Sequence, residues 1–269
     1  DARNVAPEFH PGASVFRMNL LGVRVDILTA AALNERVEKL FENRSKSVIA
    51  YMHAHGVNLA YRDAELARFF NNARIVYCDG EGVRIGAKIL GYNIPERIAL
   101  TDWVWNFFQI CERRGASVYL LGSTRDVVEA AARRVKERFP QLKLLGYHDG
   151  YFEKQGPSSD AVIDEINQLH PDALLVGFGM PIQERWLMHS LDRLQVKLIL
   201  PVGSCFDYVS GRKRRCPAWM SKHGLEWLFR LMQEPRRLFK RYVIGNPLFV
   251  ARVVRASLSQ RKRNHRGEE

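Results

Sequence analysis

The residues best placed for chemistry begin at YCDGEGVRIGAKILG, residues 77–91. Asp79 closes the apolar run IVYC, two glycines and a second acid, Glu81, follow, and the pattern then turns helical. A carboxylate at the carboxyl end of a strand lies where α/β sheets bind ligands. Aspartate is also a good turn and N-cap residue, because its side chain accepts backbone N–H bonds. On these residues alone both roles stay open. Three glycine turns follow apolar runs elsewhere: SVYLLGS ends in Gly122 and Ser123, ALLVGFG in Gly177 and Gly179, and LILPVG in Gly203, with Asp207 shortly after it. Small residues let a ligand approach the backbone, and helix N-termini favour anions. With Gln183, Glu184 and Asp207 beside them, these turns point to a nucleotide or diphosphate site. Neither G-x-G-x-x-G nor G-x-x-x-x-G-K-[ST] occurs, which disfavours a dinucleotide oxidoreductase and a P-loop NTPase.

The elements that must position these residues alternate. The predicted strands are 20–26, 47–52, 74–78, 117–122, 142–147, 173–178 and 197–202. Helices are expected over 29–43, 57–72, 80–90, 101–114, 125–138, 159–168 and 181–192. Strands that are nearly continuous apolar runs, separated by helices, indicate a parallel sheet covered on both faces. The expected fold is α/β and Rossmann-like, with a mainly parallel sheet and right-handed crossovers. Residues 1–14 read as a loose arm, 15–210 as the Rossmann-like domain, and 211–269 as a basic helical appendage.

The chain of 269 residues is 46% hydrophobic and shows no apolar run near transmembrane length and no signal-peptide pattern. Its four cysteines lie outside any C-x-x-C pair, so neither a zinc site nor a disulfide framework is expected, and the cytosol or its membrane face is the default compartment. Residues 211–269 hold 16 of the 41 Lys and Arg and 4 of the 29 Asp and Glu, so the whole net charge of +12 sits there. A localised basic segment points to a polyanionic partner. In GLEWLFRLMQEPRRLFKRYV (224–243), Trp227, Leu228, Leu231 and Met232 share one face, and Leu238, Phe239, Tyr242 and Val243 repeat the spacing after Pro235. A basic, aromatic amphipathic helix suits an anionic membrane surface. A helix docked on the body is the alternative, and assembly of copies through the tail is open. No nucleic-acid module is recognisable, so no nucleic-acid partner is expected.

Six ordered blocks then combine: DGEGV (79–83), the G…ERIALTD run (91–102), YLLGS (119–123), GFGMPIQERW (177–186), PVGSCFDYVSGRKRRCPAW (201–219) and GLEWLFRLMQEPRR (224–237). Together they resemble the WecG/TagA/CpsF family of bacterial glycosyltransferases, from about residue 20 to about 245. The resemblance implies an inverting enzyme that moves a hexosyl unit from a UDP-sugar to a polyprenyl-diphosphate-linked sugar. It would work peripherally at the cytoplasmic face of the inner membrane, in exopolysaccharide or cell-surface polysaccharide synthesis. Members use N-acetylmannosamine or its uronic acid, and a branch similar to the xanthan GumM enzyme uses glucose and makes a β-1,4 bond.

The resemblance makes Asp79 the general base, which agrees with the need of an inverting transferase to deprotonate the acceptor hydroxyl. It makes appendage arginines the diphosphate ligands, at Arg230 and Arg237, with Lys240 in the third position and Arg241 adjacent. No D-x-D occurs, so a metal-independent mechanism without cofactors is expected, with cationic side chains neutralising the diphosphate. Thr101 and Asp102 match a family motif and are candidates for acceptor contacts or for capping helix 101–114. Gln183 and Glu184 are candidates for donor contacts, and Asp207 for uridine or sugar hydroxyls. Where many members carry T-x-N, this chain reads YMHAHGVN (51–58), with Tyr51 and His53 in the Thr and Asn positions. His53 and His55 therefore become candidate site residues. Trp186 and Trp219 read as packing residues. The rival expectation is a non-catalytic nucleotide- or polyanion-binding α/β protein in which Asp79 is only a cap.

Overall fold

The structure, a computed structural model, describes residues 16–43 and 45–266, so the expected arm over 1–14 lies outside the described residues. Strands β1 (Arg17–Leu20) and β2 (Val23–Asp26) come first, followed by β3 (Ser47–Met52), β4 (Ile75–Cys78), β5 (Ser117–Gly122), β6 (Lys143–His148), β7 (Ala173–Gly177) and β8 (Leu198–Pro201). The last six form one parallel sheet in the order β4-β3-β8-β7-β5-β6. Their period of two divides the apolar side chains between the faces: Ile49 and Tyr51 enter one core, and Val48, Ala50 and Met52 the other. The first core is covered by α1 (Ala30–Glu42), α5 (Leu100–Arg114), α6 (Arg125–Arg138) and α9 (Cys205–Val209). The second is covered by α2 (Ala54–Ala60), α3 (Ala64–Asn72), α4 (Glu81–Ile89), α7 (Pro157–Leu169) and α8 (Ile182–Ser190). Of the six sheet strands only β6, at one edge, is not fully buried. The α/β class with a parallel, helix-covered sheet is as expected.

Two elements differ from the sequence expectation. The run 20–26 is not one strand: Leu21 and Gly22 both take positive φ (54° and 92°) and fold the chain back into the antiparallel β1–β2 hairpin. Two positive φ values are what a tight hairpin turn requires. The helix expected over 57–72 is two helices, because the Asp63 carboxylate accepts N–H bonds from Glu65 and Leu66 and starts α3 afresh.

After α9 the chain passes along the carboxyl edge of the sheet as α10 (Ala218–Lys222), α11 (Glu226–Gln233), α12 (Pro235–Phe239), a π-helical turn (Lys240–Ile244) and α13 (Gly245–Arg266). It is fastened at both ends. Arg215 pairs with Asp102 on α5. Phe249 of α13 packs on Gly86 of α4, where an added Cβ would come within 2.7 Å of the ring. The Asn58 amide donates to the Gly245 carbonyl at 2.7 Å, and Arg252 donates to the Asn58 side-chain oxygen at 2.7 Å. The apolar stripe of the tail consequently divides: Leu238, Tyr242, Phe249 and Val253 are buried, whereas Phe239, Val243 and Ile244 stay exposed. Trp219 is also exposed, at 59%, unlike the packing residue expected, while Trp186 is buried and donates its indole N–H to Ser159. Among the described residues no helix is long and apolar enough to cross a membrane.

Candidate active site

The strand order reverses beside β3: β4 lies on one side, and β8, although last in the chain, lies on the other. The crevice outside the carboxyl ends of such strands is where open α/β sheets bind ligands. Two adjoining chambers open there, sharing a wall of His53, Asp79, Arg230, Arg241 and Tyr242. The first continues past Glu81, Arg97, Trp227 and Asn246. The second continues past Thr101, Gly179, Gly203, Ser204 and Arg237.

Asp79 stands where β4 ends. Its Oδ1 accepts the Leu100 N–H at 3.0 Å, at the first turn of α5. Both roles suggested by its sequence position are therefore compatible: one oxygen caps a helix and the other remains for the cavity. Burial pushes the carboxyl up to about 6, against the pull of the Arg230 guanidinium, with Glu226 adding to the rise. A carboxylate in this range is a competent base near neutrality.

The cations around it are sorted by Glu226. Its oxygens accept from Arg97 at 3.0 Å, Arg215 at 2.9 Å and Arg230 at 2.9 Å, and Arg97 also donates to Ser221 at 2.7 Å. Arg237 pairs with Glu234, which also pairs with Lys213. Arg241 lines both chambers and has no ion-pair partner among the described residues. Lys240 is exposed and lines neither, which corrects the expectation that it holds the third cationic position. The cause is helical phase. Leu238 and Tyr242, four residues apart, both point inward, so Lys240, midway between them, must point outward while Arg241 flanks the buried side. Three buried polar atoms at the cavity, Thr101 Oγ1, Arg230 Nε and Arg241 Nε, have no hydrogen-bond partner in the protein among the described residues. Buried polar atoms left this way are costly unless a ligand or solvent satisfies them.

The other expected residues fall into place unevenly. His53 and Thr101 line the cavity, and His55 lines the first chamber. Burial, helped by Arg241, pushes the His55 imidazole down to about 4, so it is neutral near pH 7. Asp102 is occupied by Arg215 and serves to dock the C-terminal segment. Gln183 and Glu184 are completely buried and line neither chamber: Gln183 accepts the Gly203 N–H at 2.8 Å and donates to Glu184 at 2.7 Å. They hold the Gly203 turn from behind, which replaces the expected direct donor contact. Of the glycines, Gly179 and Gly203 line the second chamber, and Gly203 has φ 56° with the Tyr51 hydroxyl against it. Gly122 and Gly177 pack on one another, so close that a Cβ on Gly122 would lie 2.5 Å from the Gly177 carbonyl oxygen. Their smallness serves strand contact rather than ligand approach. Ser123 and Asp207 share a 3.4 Å hydrogen bond, and Asp207 pairs with Lys213 at 2.8 Å, outside both chambers.

Arg97, Glu226 and Asn246 also shape the site and were not singled out by sequence reasoning, and Tyr51 and Tyr242 were noted only for their places in a motif and an apolar stripe. Arg97 and Glu226 do sit inside two of the quoted blocks, which was the available signal. The arrangement places one free carboxylate oxygen between two polar chambers lined by arginines. That suits attack by a deprotonated hydroxyl on a substrate whose leaving group is an anion.

Comparison with known proteins agrees with this chemistry. The model of the glycosyl transferase WecG/TagA/CpsF family matches residues 18–263. Two Staphylococcus aureus proteins, from strains MW2 and NCTC 8325 / PS 47, are each 27% identical over 248 residues, covering 91% of this chain and 95% of their own length. Both are named N-acetylglucosaminyldiphosphoundecaprenol N-acetyl-beta-D-mannosaminyltransferase. The chain belongs to the WecG/TagA/CpsF glycosyltransferase family.

Proposed function

With that membership as the premise, we propose that the enzyme transfers a hexosyl unit from a UDP-sugar to a polyprenyl-diphosphate-linked sugar, with inversion to a β-linkage. The observation that carries this reading is the position of Asp79 between two chambers, on a wall shared with Arg241, a cation with no ion-pair partner among the described residues. The donor occupies the chamber of Gly179, Gly203 and Arg237, where backbone is open to a diphosphate. The acceptor sugar enters the chamber of Glu81 and Trp227. The free oxygen of Asp79 takes the proton of the acceptor hydroxyl as the hydroxyl's own oxygen attacks the anomeric carbon. The bond to the β-phosphate breaks, its electron pair leaves with UDP, and Arg230, Arg237 and Arg241 receive the charge. These guanidinium groups supply what a divalent cation would, so chelator is expected to leave the rate unchanged.

Residues from 211 onward act as an appendage that completes the cavity and rests peripherally on an anionic bilayer, at the cytoplasmic face. The exposed Phe239, Val243 and Ile244 beside a basic surface support this. The donor sugar is N-acetylmannosamine, as in the names of the relatives, its uronic acid, or glucose. The test is UDP release with UDP-N-acetylmannosamine, its uronic acid and UDP-glucose, each with N-acetylglucosaminyl or glucosyl polyprenyl diphosphate in detergent. Release that requires acceptor and vanishes in Asp79→Asn supports the reading and names the donor. Equal release by the variant would leave Asp79 as only a helix cap.

A further inference from the structure

His53 stands in extended backbone (φ −131°, ψ 166°) at the N-cap of α2, and its ring nitrogen Nδ1 accepts the Gly56 N–H at 2.9 Å. A ring nitrogen that accepts carries no proton, so the neutral imidazole must hold its hydrogen on Nε2. The ring lies on the wall shared by the two chambers. The groups facing it are Arg241 and Tyr242 from the π-helical turn, Arg230 from α11 and Asp79 just after β4. Tyr51 and His55 lie 5.5 and 6.0 Å away between ring centroids.

Resting on the transferase reading, we propose that His53 is a hydrogen-bond donor, fixed as its Nε2–H tautomer, to an oxygen of the leaving diphosphate, and that it takes no proton in the reaction. Two arguments carry the choice of ligand. The two guanidinium groups beside the ring favour an anion at that point over a neutral hydroxyl. A neutral N–H adds a donor there without adding a third positive charge. The exclusion of a base role follows from the cap. Protonating Nδ1 would set its hydrogen against the Gly56 N–H and abolish that bond. The same conclusion follows from electrostatics: burial, Arg241, His55 and Arg230 all push the imidazole well below its ordinary value. During transfer the acceptor proton goes to Asp79, and the electron pair of the broken C–O bond goes to the phosphate oxygen. His53 keeps its proton and strengthens a hydrogen bond as that oxygen gains charge.

Two measurements test this. His53→Asn keeps a good N-cap residue on α2 but is too short to reach the diphosphate. Its kcat should fall by about ten- to a hundredfold, the size of one hydrogen bond to a charged group, with KM for the donor changing far less. The acidic limb of its pH profile should stay where the wild type has it. Loss of that limb in the variant would make His53 the base and overturn the proposal. The second measurement needs no turnover: long-range 15N–1H spectra of the wild-type ring at pH 7, with and without UDP. An unprotonated Nδ1 and an Nε2–H signal moved by UDP are expected. An Nδ1–H ring, or a signal untouched by saturating UDP, overturns the assignment. Failure of the transferase reading would look different, as a moved ring signal with no turnover on any sugar donor.

Discussion

Up to β8 the chain is held by apolar burial. The inner strands of its sheet are covered on both faces, and Lys and Arg balance Asp and Glu before residue 211. Beyond that point carboxylates join apolar burial, with Glu226 accepting from Arg97 of the body and from Arg215 and Arg230 of the segment itself. Among the described residues its buried apolar anchors are Met220, Leu238, Tyr242, Phe249 and Val253. The body therefore fixes where Asp79 stands, and the C-terminal segment fixes which cations meet it. A base is set by a rigid sheet edge, and a leaving-group clamp by a charged strap laid over it.

That division can be broken at either side, and the largest effect should come from the body. Asp79→Asn removes the base and is expected to lower transfer by on the order of 10²–10⁴-fold, while UDP still raises the melting temperature. Loss of the UDP effect as well would mean that Asp79 shapes the donor chamber rather than the chemistry. On the strap, Phe249→Ala empties a buried site against Gly86 and should cost about 3 kcal/mol of stability, read from denaturant unfolding. A cost near zero would show that the tail docks through its ion pairs alone.

Arg241→Ala should lower kcat/KM by roughly thirtyfold, the loss of about 2 kcal/mol of charge-assisted hydrogen bonding. Lys240→Ala should stay within about twofold, since an exposed cation outside the cavity is screened. The reverse ranking would overturn the helical phase described for this turn. The smallest effect joins the two regions. The base works deprotonated, so activity should rise with pH up to about 6 and level off above it, following Asp79. Because Glu226 raises the Asp79 carboxyl, Glu226→Gln should move that limb to lower pH. An unmoved limb would separate the strap electrostatically from the base.

The two regions also differed in how far their sequence could be read. The sheet strands were legible because burial on both faces writes them as unbroken apolar runs. The β1–β2 turn was not, since Leu21 takes a positive φ that its side chain disfavours. Asp79 was legible as a carboxylate between an apolar run and a glycine. Gln183 and Glu184 were misplaced because polarity at a helix start does not say whether the side chain turns to the cavity or into the protein. In the strap, helical spacing correctly gave an apolar stripe, but period alone could not tell that Leu238 and Tyr242 enter the body while Phe239 and Val243 face out. The Arg97–Glu226 pair joins residues 129 positions apart, which no local pattern announces.

The double fastening of the C-terminal segment, at Arg215 and at Phe249, makes Arg230 and Arg241 ligands tethered to their own receptor. A short tether corresponds to an effective concentration of about millimolar. An enzyme cut after residue 210 and offered the missing piece as a separate peptide should then match the clamp occupancy of the intact chain only as the peptide approaches that range. Point substitutions at the fastenings should raise the requirement for donor in the same gradual way, by lowering the fraction of molecules in which the clamp is present.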